Sequence, residues 1–149
     1  MEAETSRTVL AVVALGSNIE PRAERLERAL AALAALPGTR LVKASAMLDN
    51  PGVDVPPEYA HMRFLNQVAA FDTSLEVHDF SRRMHAIEDA HGRVRTGVRN
   101  EPRMIDLDLI AFGDLVLDEP ELTLPHPRAR EREFVTIPLM EIFPDFQWP

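Results

Sequence analysis

Two aspartates interrupt the apolar run that begins at Ile105: Asp106 and Asp108 alternate with Ile105, Leu107 and Leu109. Alternation is the period of a half-buried β-strand. On a helix, residues two apart point to nearly opposite sides and would share no site. A strand instead puts both carboxylates on one face, with Cα atoms roughly 6.5–7 Å apart. A charged strand residue is ordinarily part of a solvated surface. Two on one face, beside Ile110 and Phe112, need basic partners or metal ions, because an unpaired carboxylate in apolar surroundings is costly. The spacing also suits a pair of cations about 3.5–4 Å apart. Arg93, Arg95, Arg99 and Arg103 lie just upstream. An acidic strand beside a basic loop suggests a polyphosphate substrate handled with Mg2+.

The chain is long enough for one proper core: 149 residues, 46% hydrophobic and 27% charged, suit a single soluble domain spanning 1–149. A net charge of −8 argues against a general nucleic-acid binder. The segment from Gly92 to Met104 departs from that average, with four arginines against Glu101 alone, a local charge of +3. A basic patch on an acidic protein favours a small anionic ligand over a long polyanion. The absence of cysteine excludes disulfides, thiolate metal sites and a cysteine nucleophile. No apolar run reaches the length of a membrane span. Met1 to Arg7 is short and polar, without a secretory pattern. The expectation is a cytoplasmic monomer without nucleic-acid or membrane partners.

Thr8 to Leu15 reads as a buried first strand ending at Gly16-Ser17-Asn18. Pro21 suits the opening of a helix, whose apolar stripe is Leu26, Ala29, Leu30, Leu33 and Leu36 and which Pro37-Gly38 stops. Leu41 to Met47 is expected as a second strand, and Asn50-Pro51-Gly52 through Pro57 as a long functional loop. Phe64 to Phe71 reads as a third strand. Thr73-Ser74-Leu75-Glu76 has the form of a capping box ahead of a helix carrying Val77, Phe80, Met84 and Ile87. After the arginine loop and the aspartate strand, Leu115–Leu117 and Leu122–Leu124 suggest a small hairpin. A helical turn near Pro127 and a last helix over Phe134 to Phe143 follow, with Pro138 expected in its first turn or at a kink. This order, βαββαβ with an added hairpin and C-terminal helix, is that of a ferredoxin-like α+β fold.

The usual nucleotide signatures are missing. No Gly-x-x-x-x-Gly-Lys-Ser/Thr element exists, and the single glycine of Gly16-Ser17-Asn18 cannot form a dinucleotide fingerprint; it is equally a plain strand-to-helix turn. Phosphate binding would then rest on side chains, for which the bidentate fork of arginine is suited. A solvated basic loop paired with the acidic surface remains the alternative. His126, held between Pro125 and Pro127, could present its imidazole to a phosphate. His61, His78, His85 and His91 lack zinc-type spacing, and Ser17 lacks a nucleophile-elbow context.

Taken in order, Leu15-Gly16-Ser17-Asn18, Phe64-Leu65-Asn66, Gly92-Arg93-Val94-Arg95, Pro102-Arg103-x-x-Asp106-Leu107-Asp108, Leu124-Pro125-His126-Pro127 and Arg132-x-Phe134 resemble the 6-hydroxymethyl-7,8-dihydropterin pyrophosphokinase family. The similarity runs from about Thr8 to Pro144. The arginine-prefixed aspartate motif is its most specific part. The resemblance implies Mg2+-dependent transfer of pyrophosphate from ATP, the co-substrate, to a hydroxymethyl-dihydropterin. It implies two Mg2+ on Asp106 and Asp108, phosphate contacts from Arg93, Arg103, His126 and Arg132, and Arg95 and Arg99 on a closing loop. His85 and Glu88 match positions near the nucleotide. Asn66 would hydrogen-bond the pterin, Phe134 would stack on it, Phe64 stands where tyrosine is frequent, and Asn50, Pro51 and Val53 match the loop lining the pterin pocket. This chain departs from the pattern at Asn100-Glu101, where Trp-Gly often stands, and at Asn50 and Gly52, where Thr and Pro are common.

Three other readings compete. A pyrophosphokinase paralogue would act on a modified pterin, since the pterin loop is where the chain departs most. A non-catalytic ferredoxin-like binding module would need no paired carboxylates. An RNA-recognition module would use exposed sheet aromatics, for which Phe64, Phe71 and Phe112 are available.

Overall fold

A computed structural model describes residues 7–51, 57, 63–91 and 105–149. Seven strands and three helices follow the order β1 (Val9–Ser17), α1 (Arg22–Ala34), β2 (Thr39–Ala44), β3 (Leu48–Pro51), β4 (Arg63–Thr73), α2 (Val77–Ala90), β5 (Asp106–Phe112), β6 (Leu117–Glu119), β7 (Leu122–Leu124), then a 3-10 turn (Ala129–Glu131) and α3 (Glu133–Ile142). The main sheet runs β2-β4-β1-β5 with β3 also on β4, and every pairing is antiparallel. The chain is α+β, with the expected βαββαβ core to which β3, the β6–β7 hairpin and α3 are added.

Each face of the sheet buries its own cluster. Ala11, Val13, Leu15, Ala69, Phe71, Leu107 and Leu109 face Leu26, Leu33, Phe80 and Met84 of α1 and α2. Val12, Ala14, Val68, Ala70 and Ile110 face Val135, Leu139 and Ile142 of α3. The alternation along β1 and β4 explains how one strand serves both clusters. Phe71 and Phe112 lie in the first cluster, 0% and 5% exposed, so neither belongs to an aromatic platform for RNA. Among the described residues no helix is long and apolar enough to cross a membrane.

The structure corrects several expectations. Asn50 and Pro51 belong to a strand, β3, rather than to a loop. Asp, Asn and Pro are poor strand formers, but the eleven-residue β4 extends past the end of β2 and offers its edge to Leu48–Pro51. The break between β2 and β3 is bridged at Ser45, whose N–H donates to the Val68 carbonyl at 2.9 Å and whose Oγ accepts from the Val68 N–H at 3.0 Å. An edge position also tolerates the missing N–H of Pro51. β2 begins at Thr39, earlier than expected, and exposes Leu41 and Val42. The capping box is not formed: Glu76 is itself the N-cap of α2, its carboxylate accepting from the N–H groups of His78 and Asp79. Thr73 stays in β4, bonded to Thr39 through their hydroxyls at 2.7 Å. The first hairpin strand is Leu117–Glu119 rather than Leu115–Leu117. Pro138 lies past the first turn of α3, where it gives up a donor but is buried against the sheet.

Candidate active site

Strand register assembles the site. β1 places Gly16 opposite Asp106 and Ala14 opposite Asp108. On its other side it places Gly16 opposite Asn66 and Ala14 opposite Val68. β3 places Leu48 opposite Asn66 and Asn50 opposite Phe64. Directly opposed residues of antiparallel strands share a face, so Asp106, Asp108, Asn66, Phe64 and Asn50 all lie on the α3 side of the sheet. Gly16 lies between Asp106 and Asn66, and Ala14 between Asp108 and Val68, so only short side chains stand between the carboxylates and β4. Asn66 and Asp106 are two strands apart, about 10 Å at ordinary strand spacing.

A bulge completes the acidic end. The β1–β5 register shifts between Val12 and Val13, leaving Ile110 as an extra residue. Bulges re-aim an edge strand, and here the Ile110 carbonyl accepts the N–H of His126 at 2.9 Å. His126, just after the cis Leu124–Pro125 peptide, sets Nε2 at 4.0 Å from Asp108 Oδ1. Its Nδ1 accepts the Arg128 N–H at 3.3 Å, so the neutral ring carries its proton on Nε2, toward Asp108. Burial pushes the His126 imidazole below its ordinary value; Asp108 opposes that, while Arg132 and Arg128 reinforce it. Asp108 is 39% exposed.

α2 supports β5 from beneath. Glu88 is 0% exposed; its Oε2 accepts the Leu107 N–H at 2.6 Å and its Oε1 meets His85 Nδ1 at 2.7 Å. β5 is an edge strand, and this carboxylate satisfies an N–H between the two aspartates that would otherwise lack a strand partner. Glu88 is thus a bracket behind the site. His85 lines a cavity of about 230 Å³ together with Met84, Asp108, Leu122, Thr123 and His126. Leu122 and Thr123 come from the hairpin, whose place over the cavity no local signal in the sequence reveals.

At the other end, Arg132 caps α3 and holds its guanidinium 5.5 Å from the centre of the Phe134 ring. Phe134 packs at the rim of the α3-side cluster. The described residues therefore bring Asp106, Asp108, Asn66, Phe64, Asn50 and Phe134 to one side of the sheet, with His126 beside Asp108 at the edge and His85 and Glu88 behind β5. Arg93, Arg95, Arg99, Arg103 and Val53 lie outside the described residues.

The arrangement offers paired oxygen donors at one end, an amide and aromatic rings at the other, and a cavity beside the acids. Comparison with known proteins is consistent with it. A Pseudomonas aeruginosa 2-amino-4-hydroxy-6-hydroxymethyldihydropteridine pyrophosphokinase is 42% identical over 140 residues, covering 92% of this chain and 82% of that one. One from Methylorubrum extorquens is 42% identical over 136 residues, covering 91% and 83%. A crystal structure of the Plasmodium falciparum HPPK-DHPS chain shares the fold, with a TM-score of 0.71 at 14% identity, over 98% of this chain and 44% of that longer one. The family model described as 7,8-dihydro-6-hydroxymethylpterin-pyrophosphokinase matches residues 12–144, and the chain belongs to that family, a pyrophosphokinase of folate biosynthesis.

Proposed function

We propose that the chain transfers pyrophosphate from ATP to the hydroxymethyl group of 6-hydroxymethyl-7,8-dihydropterin, giving AMP and the pterin diphosphate. The observation that carries this reading is the shared face: Asp106 stands across Gly16 from Asn66, with Asp108 two residues along β5 and Phe64 and Phe134 on the same side of the sheet. A flat ring held at Asn66 can extend a side arm over the glycine toward the carboxylates.

Asp106 and Asp108 are hard oxygen donors on one strand face, opposite residues too small to obstruct them, and this donor set fits Mg2+. They would hold two Mg2+ ions, which when bound neutralise phosphate charge. ATP would lie with its base in the cavity lined by His85, Met84, Leu122 and Thr123 and its phosphates toward Asp108. His126 would donate from Nε2 to a phosphate oxygen, and Arg132 would bind another. Arg93 and Arg103 would stabilise charge in the transition state, with Arg95 and Arg99 closing over the nucleotide. Asn66 would hydrogen-bond the pterin between Phe64 and Phe134, beside Asn50, Pro51 and Val53.

In the reaction the substrate hydroxyl oxygen forms a bond to the β-phosphorus. The bond from that phosphorus to the oxygen shared with the α-phosphorus breaks, AMP leaves with the electron pair, and the hydroxyl proton passes to solvent. Such a transfer needs alignment and charge stabilisation and no protein nucleophile. The test is AMP formation from ATP and the pterin with Mg2+, with and without EDTA. AMP and pterin diphosphate in equal amounts, abolished by EDTA, are expected; ATP binding without AMP formation would transfer the weight to a binding module, and turnover only with altered pterins to the paralogue.

A further inference from the structure

The side chain of Asn50 has a hydrogen-bond pattern that permits one orientation. Its Nδ2 faces three acceptors: the Leu48 carbonyl at 3.2 Å, the Phe64 carbonyl at 3.4 Å and Asn66 Oδ1 at 2.7 Å. Two of these are backbone carbonyls, which only accept. Turning the amide over would set its oxygen against both. The nitrogen of Asn50 therefore points inward, and Asn66, 7% exposed, must answer with its oxygen. The Asn66 NH2 is left on the far side and has no partner among the described residues. It lies over Gly16, 2.7 Å from where a Cβ on that glycine would stand, in the row that ends at Asp106.

We propose that Asn50 is a positioning residue that locks the Asn66 amide so that its NH2, and never its carbonyl, meets the substrate. The site then selects a ring edge presenting an acceptor, a carbonyl oxygen or an unprotonated ring nitrogen, at that point. The proposal rests on the reading of this face as the pterin site. It assigns Asn50 a role separate from contact with the ring: it sets the polarity of the residue that makes contact.

The experiment measures binding of 6-hydroxymethyl-7,8-dihydropterin in the presence of Mg2+ and α,β-methylene-ATP, for the parent chain and three variants. Asn50→Asp has no donor and draws the Asn66 NH2 to itself, turning the Asn66 carbonyl outward; pterin affinity is expected to fall about 100-fold. Asn50→Ala releases the amide to turn either way, with a loss of about tenfold. Asn50→Thr keeps a hydroxyl able to donate to Asn66 Oδ1 and is expected within about threefold of the parent. Affinity for the nucleotide analogue stays unchanged in all three. Equal losses in Asn50→Asp and Asn50→Ala, or an Asn50→Thr loss as deep as that of Asn50→Asp, would overturn the lock alone. No pterin binding by the parent chain would overturn the substrate reading and the lock with it. If Asn50→Asp unfolds, the remaining pair decides: Thr tighter than Ala supports the lock, and equality overturns it.

Discussion

At the scale of single residues, the site depends on two small side chains as much as on its charged ones. A Cβ at Gly16 would meet Asn66 Nδ2 at 2.7 Å, and the bond to Asn50 keeps Asn66 from yielding. Gly16→Ala is therefore expected to raise the KM for the pterin and cost about 1–3 kcal/mol of stability, measured by steady-state kinetics and urea unfolding. Asp106→Ala and Asp108→Ala are expected to lower turnover by at least about 10²-fold, with the circular dichroism spectrum unchanged. A substantial residual rate in either would remove the metal role. The motif around Asp106 is legible because its alternation and composition are local. The Asn50 contact is not, because it spans two strands that no local pattern brings together.

At the scale of elements, the edge strand β5 is held by side chains from α2 and by the segment after β7. Glu88→Ala leaves the buried Leu107 N–H without its acceptor and is expected to cost about 1–3 kcal/mol, read from the urea midpoint. Glu88→Gln keeps a carbonyl oxygen there and is expected to cost less. The hairpin is fastened separately, His78 meeting Glu76 and Glu119 at 2.7 Å each. Bonds to Glu119 first, then Glu76, raise the His78 imidazole from 6.5 to about 9. A raised imidazole stabilises the fold fully below pH 6.5 and loses that contribution as pH climbs through 9. His78 is 44% exposed, so solvent screens the pair and the effect is modest. Between pH 6.5 and 9 the thermal midpoint is expected to fall more in the parent than in His78→Gln; parallel curves would discount the clamp. The helices were readable from their apolar stripes, whereas β3 was not, since its residues are strand-poor and only the overhanging edge of β4 recruits them.

At the scale of the whole molecule, one sheet is covered on both faces. α1 and α2 bury one side and α3 the other, with Phe146 and Trp148 packed edge to face at 5.1 Å beyond α3. Strands β1 and β4 contribute to both clusters, so the two faces are expected to unfold together. Trp148 is the only tryptophan, and it reports the α3 side. Its fluorescence transition in urea should coincide with the loss of far-ultraviolet circular dichroism, as for a two-state domain of this size. Leu139→Ala, at a position 1% exposed, should shift both transitions together, by about 2–5 kcal/mol. Separate midpoints would mean that α3 is an independently melting layer.

Apart from β3, the order of strands and helices was legible in the sequence, as were the strand bearing Asp106 and Asp108, the isolation of His126 between prolines and the likeness to a pterin pyrophosphokinase. All of these are carried by short-range periodicity or contiguous motifs. Tertiary structure alone decided that Gly16 separates Asn66 from Asp106, that Glu88 satisfies the edge of β5, that the hairpin walls the cavity and that Asn50 orients Asn66. The pairs named range from 16 positions apart, Asn50 and Asn66, to 90, Gly16 and Asp106, and they meet only once the fold has set which side chains share a face.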